Sequence, residues 1–184
     1  MREVGKLYGI GIRDEPAYVF EAGIKIICPY YKTWQSMIVR CYSEVFHEQQ
    51  PTYKECTVCN EWLTFSNFKR WMSSQDWIGN QLDKDLKVYG NKIYSPDTCL
   101  FISRDVNMFL ADRKLRKKEG HVGVYYESDR NKWKALCGGL LIGRFESEIE
   151  ATNAYLLKKR ELANKLASKQ SNKIISDAII ARYN

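Results

Sequence analysis

Between Tyr31 and about Phe46, the apolar residues Trp34, Met37, Ile38, Cys41 and Val45 recur at spacings of three and four. Lys32, Gln35, Arg40 and Glu44 fall between them. This pattern predicts a helix with one apolar face. HEQQPTY ends it, with Pro51 as the break. A second helical pattern runs from Glu61 to about Ser73, carried by Trp62, Phe65, Phe68, Trp71 and Met72. So many aromatics suit either core packing or base stacking. Upstream, LYGIGIR, AYVF and GIKIIC read as short strands closed by Cys28-Pro29.

From Leu82 to Leu110 the pattern predicts a short strand, a long polar loop, a second short strand and a helix. The turn signals are Tyr89-Gly90-Asn91 and Ser95-Pro96-Asp97. HVGVYYES, NKWKALCG and LLIGRF within 121–145 then read as three strands, with Asp129-Arg130-Asn131 and Gly138-Gly139 as turns. A long helix is predicted from Ser147 to about Lys169, with Ser147 and Glu150 as a capping box. The last 14 residues suit a short helix. The class is α+β.

Composition changes this picture in three ways. The net charge of +7 favours polyanion partners. Arg113, Lys114, Arg116, Lys117 and Lys118 concentrate that charge in a basic linker drawn to phosphates. No stretch approaches the roughly 18 apolar residues of a membrane span, and MREVGKLYG lacks the apolar run of a signal peptide. An intracellular, non-secreted protein is expected, with Cys28, Cys41, Cys56, Cys59, Cys99 and Cys137 as reduced thiols or metal ligands.

The candidate chemistry centres on residues 82–110. Asp83 and Asp85 are predicted on the first strand and Asn107 about two turns into the helix. A hairpin folded onto a helix can gather such positions around one metal ion. Separately, Cys56-x-x-Cys59 has the spacing of a zinc knuckle, and Cys41 and Cys99 would complete a four-sulfur structural Zn²⁺ site. Buried thiols packing as small hydrophobes are the alternative.

Residues 31–110 resemble phage-type HNH endonucleases, including homing endonucleases. The resemblance rests on Tyr31-Lys-x-Trp34, Met37, Arg40-Cys41-Tyr42, Pro51-Thr-Tyr53 and Cys56-x-Val-Cys59-x-Glu-Trp62. It continues through Phe65, Phe68, Leu82-Asp83-Lys84-Asp85, Gly90-Asn91, Tyr94-Ser95-Pro96, Cys99 and Asn107. Residues 121–165 resemble the AP2-type DNA-binding domain, through Gly123-Val124, Trp133-Lys-Ala135, Gly143-Arg-Phe145 and Glu150-Ala151-x-x-Ala154-Tyr155.

The resemblance implies a ββα-metal core with flanking helices, then a three-stranded antiparallel sheet backed by a helix. The implied segments are an N-terminal extension at 1–30, a nuclease domain at 31–112, a linker at 113–120, an AP2-like domain at 121–170 and a tail at 171–184. Asp83 and Asn107 would hold one Mg²⁺ (or Mn²⁺) at the scissile phosphate of double-stranded DNA. The implied activity is phosphodiester hydrolysis, by nicking or cleavage.

Two positions depart from the family pattern. Lys84 stands where the family has its histidine base, and Thr98 where it has a middle asparagine. A lysine ordinarily keeps its proton at neutral pH. Lys84 therefore suits an electrostatic role toward phosphate or hydroxide. A metal-bound hydroxide, Asp85 and Tyr94 remain as candidate bases. The departures also fit a slow nuclease, or an inactive DNA-binding protein such as a regulator. In the sheet, alternation sets Lys132 and Lys134 opposite Trp133, Ala135 and Cys137. Arg130, Lys132, Lys134 and Arg144 are the expected DNA contacts. Val122, Val124, Leu140 or Leu141, and Phe145 are expected to fill the helix side.

Overall fold

The computed structural model describes residues 6–111 and 122–183. The basic run Arg113, Lys114, Arg116, Lys117 and Lys118 lies outside the described residues. The chain divides into two compact units, Met1–Arg104 and Asp105–Asn184.

The first unit opens with two small antiparallel pairs. β1 (Lys6–Leu7) pairs with β2 (Gly11–Ile12), and β3 (Tyr18–Glu21) with β4 (Ile24–Ile27). α1 (Pro29–Tyr42) starts on its proline, where a missing N–H costs nothing. The single helix predicted through Phe46 is in fact two. Ser43 adopts an extended backbone, and its hydroxyl accepts a hydrogen bond from the Phe46 amide at 3.3 Å, starting α2 (Glu44–Gln49). The break turns Val45 out to solvent, away from the apolar face expected of it.

The second predicted helix also begins later. A 3-10 turn at Asn60–Leu63 precedes α3 (Phe65–Ser73). Trp34, Met37 and Ile38 of α1 pack with Trp62, Phe65 and Phe68 in a fully buried cluster. The Trp34 indole donates to the Trp62 carbonyl at 2.7 Å. Burying side chains of this size stabilises by about 1.5–3 kcal/mol each. These aromatics are core, not a stacking platform. The N-terminal segment is pinned to α3, because the Ser66 amide donates to Asp14 Oδ1 at 2.9 Å and Lys69 pairs with Glu15.

β5 (Thr57–Val58) precedes α3 in the chain, and β6 (Gln81–Asp83), β7 (Ile93–Tyr94) and β8 (Leu100–Ile102) follow it. β6 pairs antiparallel with β8, whereas β7 pairs parallel with β5. α4 (Arg104–Leu110) comes directly after β8. The order from β6 to α4 is therefore strand, loop, strands, helix.

In the second unit, β9 (Val124–Glu127), β10 (Lys132–Cys137) and β11 (Leu140–Phe145) form one antiparallel sheet with β10 central. α5 (Glu148–Ala167) starts on the complete Ser147–Glu150 capping box, and α6 (Lys173–Tyr183) follows. Val124, Ala135 and Cys137 pack against Ala151 and Tyr155, with Val122, Trp133, Phe145 and Leu162 around them. The expected use of Leu140 or Leu141 in this layer does not hold. Both are more than half exposed, and Ile142 packs inward instead. A register shift between Ala135 and Leu136 changes which β11 residue faces α5. The architecture is mixed α+β. Among the described residues, no helix is long and apolar enough to cross a membrane.

Candidate metal and nucleic-acid sites

Asp83 ends β6, and its carboxylate is fixed by the turn that follows. Oδ1 accepts from the Asp85 amide at 3.0 Å and the Leu86 amide at 2.7 Å. This is the local turn that an aspartate side chain makes with the backbone two and three residues on. It also corrects the expectation for Asp85, which lies in the turn and not on the strand. Burial, with Asp85 adding its negative charge, raises the Asp83 carboxyl above the ordinary carboxylate range. The two amide bonds and Lys84 oppose that rise without cancelling it. Oδ2 accepts no hydrogen bond from the described residues.

Lys84 points inward and is only 8% exposed. Its ammonium donates to the Asn91 carbonyl at 2.9 Å and lies 3.3 Å from Asp85 Oδ2. Asn91 answers through its side-chain amide, which donates to the carbonyls of Lys84 at 2.7 Å and Ile93 at 2.6 Å. The polar loop 84–92 is thus closed at its neck by a reciprocal bracket. In this arrangement the ammonium braces the loop that carries the Asp83 turn. The Tyr53 ring lies 5.9 Å from the same nitrogen.

Tyr94 is buried, and its hydroxyl meets the Arg40 guanidinium. Burial raises its phenol well above the ordinary range despite Arg40, so at neutral pH it is a proton holder rather than a base. The Arg40–Tyr94 contact carried no sequence signal beyond the two residues' membership of the motif set.

Cys41, Cys56 and Cys99 belong to the first unit's core cluster, with Cys59 packed against it. Burial, with Cys56 nearby, pushes the Cys41 thiol up to about 12, and burial does the same to Cys99. Burial among core hydrophobes disfavours the bare thiolate at these positions. Among the described residues, no group of three or more His, Cys, Asp or Glu side chains is arranged to hold a metal ion.

Asn107 lies one turn into α4, not two, and belongs to the second unit. In the sheet the four expected DNA contacts are each beside an acid. Glu127 Oε2 accepts from Arg144 Nε at 2.6 Å, and Glu127 Oε1 lies 3.0 Å from the Lys134 ammonium. Arg144 and Lys134 hold the Glu127 carboxyl down to about 2. Lys132 pairs with Glu146, and Arg130 lies 3.6 Å from Asp129. The register sets Lys134 between Tyr125 and Arg144 on the face away from α5. This face carries ordered cations and little surplus charge.

No protein-family model, curated protein or solved structure matches the chain.

Proposed function

We propose that this protein is a metal-dependent DNA endonuclease, with Asp83 as the carboxylate that engages the cation. The observation that carries the reading is the fixed Asp83 turn. One carboxylate oxygen is spent on two backbone amides, and the other is left to accept. A second carboxylate two residues on and a burial-raised pKa make the ionised form costly without a cation. Mg²⁺ or Mn²⁺ would suit such oxygen ligands and would supply Lewis acidity at a phosphate. Lys84 and Asn91 hold the turn in position. The HNH resemblance points the same way and adds Asn107 as a second ligand. The sheet of the second unit, read as AP2-like, presents Lys134 and Arg144 to double-stranded DNA.

The test is nicking of supercoiled plasmid with Mg²⁺ or Mn²⁺. Wild type nicks, Asp83→Ala does not, and both bind duplex equally. Asn107→Ala reports on the second ligand by the same assay. A wild type that binds duplex but cuts with neither metal sinks the nuclease reading. That outcome favours the second reading, a DNA-binding protein without catalysis, which the inward turn of Lys84 at the family's histidine position supports.

A further inference from the structure

The hairpin of β3 and β4 leaves one of its two faces outside the core. Its register pairs Tyr18 with Ile27 and Phe20 with Lys25, and alternation sets these four side chains on one face. Val19, on the other face, packs against the core of the first unit. On the outer face Tyr18 is 46% exposed, Ile27 49% and Phe20 72%. The Lys25 ammonium lies 4.1 Å from the centroid of the Tyr18 ring. The turn between the strands is tight. Ala22 and Gly23 have φ +48° and +80°, the sign that a type I′ turn requires at both central positions.

Charge and size together select what such a face can hold. Three acids lie between Gly11 and Ile27, and two of them are turned toward α3. Asp14 accepts from the Ser66 amide and Glu15 pairs with Lys69. The third, Glu21, stands across from Ile24 on the opposite face of the hairpin. Lys25 is therefore the one charge on the outer face, which fits an anionic partner. Four side chains supply far less than the roughly 800 Å² per partner of a standard protein interface, so the face is a poor seat for a second copy of this chain. A single strand of nucleic acid needs less. It binds through bases stacked on aromatic rings and cations beside its backbone. Tyr18 and Phe20 stand about 7 Å apart along one face, room for a base at each. In a duplex the flat faces of the bases are covered by their neighbours, and the grooves offer only edges.

We propose that the outer face of the β3–β4 hairpin binds single-stranded DNA, with an unpaired base against Phe20 and an adjoining phosphate at Lys25. The choice of DNA rests on the DNA reading above. Cleavage plays no part in it, and the face shares no residue with the Asp83 turn.

The test is fluorescence anisotropy of the full chain with a short mixed-sequence DNA strand, its duplex and the RNA of the same sequence. Phe20→Ser, at an exposed position, should weaken the DNA strand about tenfold and leave duplex affinity unchanged. Phe20→Trp, which keeps a ring, should bind the strand as the wild type does. Lys25→Gln should lower the salt slope of strand binding by about 0.7 unit. Four results overturn the proposal. A strand that binds Phe20→Ser as tightly as wild type is held by charge elsewhere. Equal weakening of strand and duplex makes the hairpin a groove contact. A Phe20 effect on the RNA and none on the DNA strand changes the polymer. A wild type that light scattering shows to be a dimer, with Phe20→Ser a monomer, gives the face to a second copy. Asp83→Ala should bind the strand normally. A wild type that holds the strand through Phe20 and nicks nothing defeats the nuclease reading and leaves this one standing.

Discussion

Asp83 combines burial, a neighbouring acid and two backbone amide bonds, and these pull in opposite directions. The net rise means that the folded state binds the proton more tightly than the unfolded chain does. Stability from this group is therefore fully present at low pH and declines as pH rises through the ordinary aspartate range to the raised folded value. Asp83→Asn keeps an oxygen for the two amides and removes the charge. It should raise the neutral-pH Tm by about 2–4 °C without added metal, and calorimetric scans at pH 3 and pH 7 should show the gain only at pH 7. Mg²⁺ should stabilise the wild type and not this variant. Lys84→Met tests the brace. Losing the buried donor to Asn91 should cost about 1–3 kcal/mol, read by urea denaturation. Unchanged stability with lost nicking would assign Lys84 to the chemistry instead. The sequence showed that a lysine stands where a histidine is expected, but not where its ammonium points. Its direction depends on Asn91, seven residues on and across a loop, which no local pattern encodes.

The sheet of the second unit was more legible, because alternation along β10 is a local property. Trp133, Ala135 and Cys137 do face the core, and Lys132 and Lys134 do not. The failure at Leu140 and Leu141 has a specific cause, a register shift that simple alternation cannot foresee. Likewise, Ser43 divides a helix whose apolar spacing continues unbroken through it. Gly123 sits at the entry to β9 with φ +77°, and a Cβ there would lie 2.5 Å from both the Leu136 carbonyl oxygen and the Tyr155 ring. Gly123→Ala should destabilise the second unit by about 2–3 kcal/mol. Circular dichroism melts should show it, with the nuclease-side variants unaffected. Glu127 adds a pH dependence of the opposite sign to Asp83. Its carboxyl is depressed to about 2, so its stabilisation is present above the ordinary glutamate range and is lost as pH falls toward 2. Glu127→Gln should flatten that acid limb.

For the molecule as a whole, the net charge of +7 predicted a polyanion partner, but the described charge is unevenly distributed. The open sheet face offsets Arg130, Lys132, Lys134 and Arg144 with Asp129, Glu127 and Glu146. Duplex affinity through this face should therefore depend only weakly on salt. The plot of log K against log salt should become steeper by about one unit in Glu127→Gln, as a freed cation gains a phosphate. No change in that slope would remove the face from the DNA contact.

The parallel pair of β5 and β7 joins Thr57 to Ile93 and Val58 to Tyr94. The Thr57 amide donates to the Lys92 carbonyl and the Cys59 amide to the Tyr94 carbonyl, both at 2.9 Å. These short strands thereby close a long chain loop, and α3, β6 and the Asp83 turn all lie within it. Closing such a loop spends entropy before distant contacts repay it. The Asp83 turn, whose bonds reach only two and three residues on, needs no such closure, whereas the β5–β7 pairing does. Hydrogen exchange at the Thr57 and Cys59 amides should accordingly be as slow as at the α1 core, marking a latch whose opening and whose unfolding are one event.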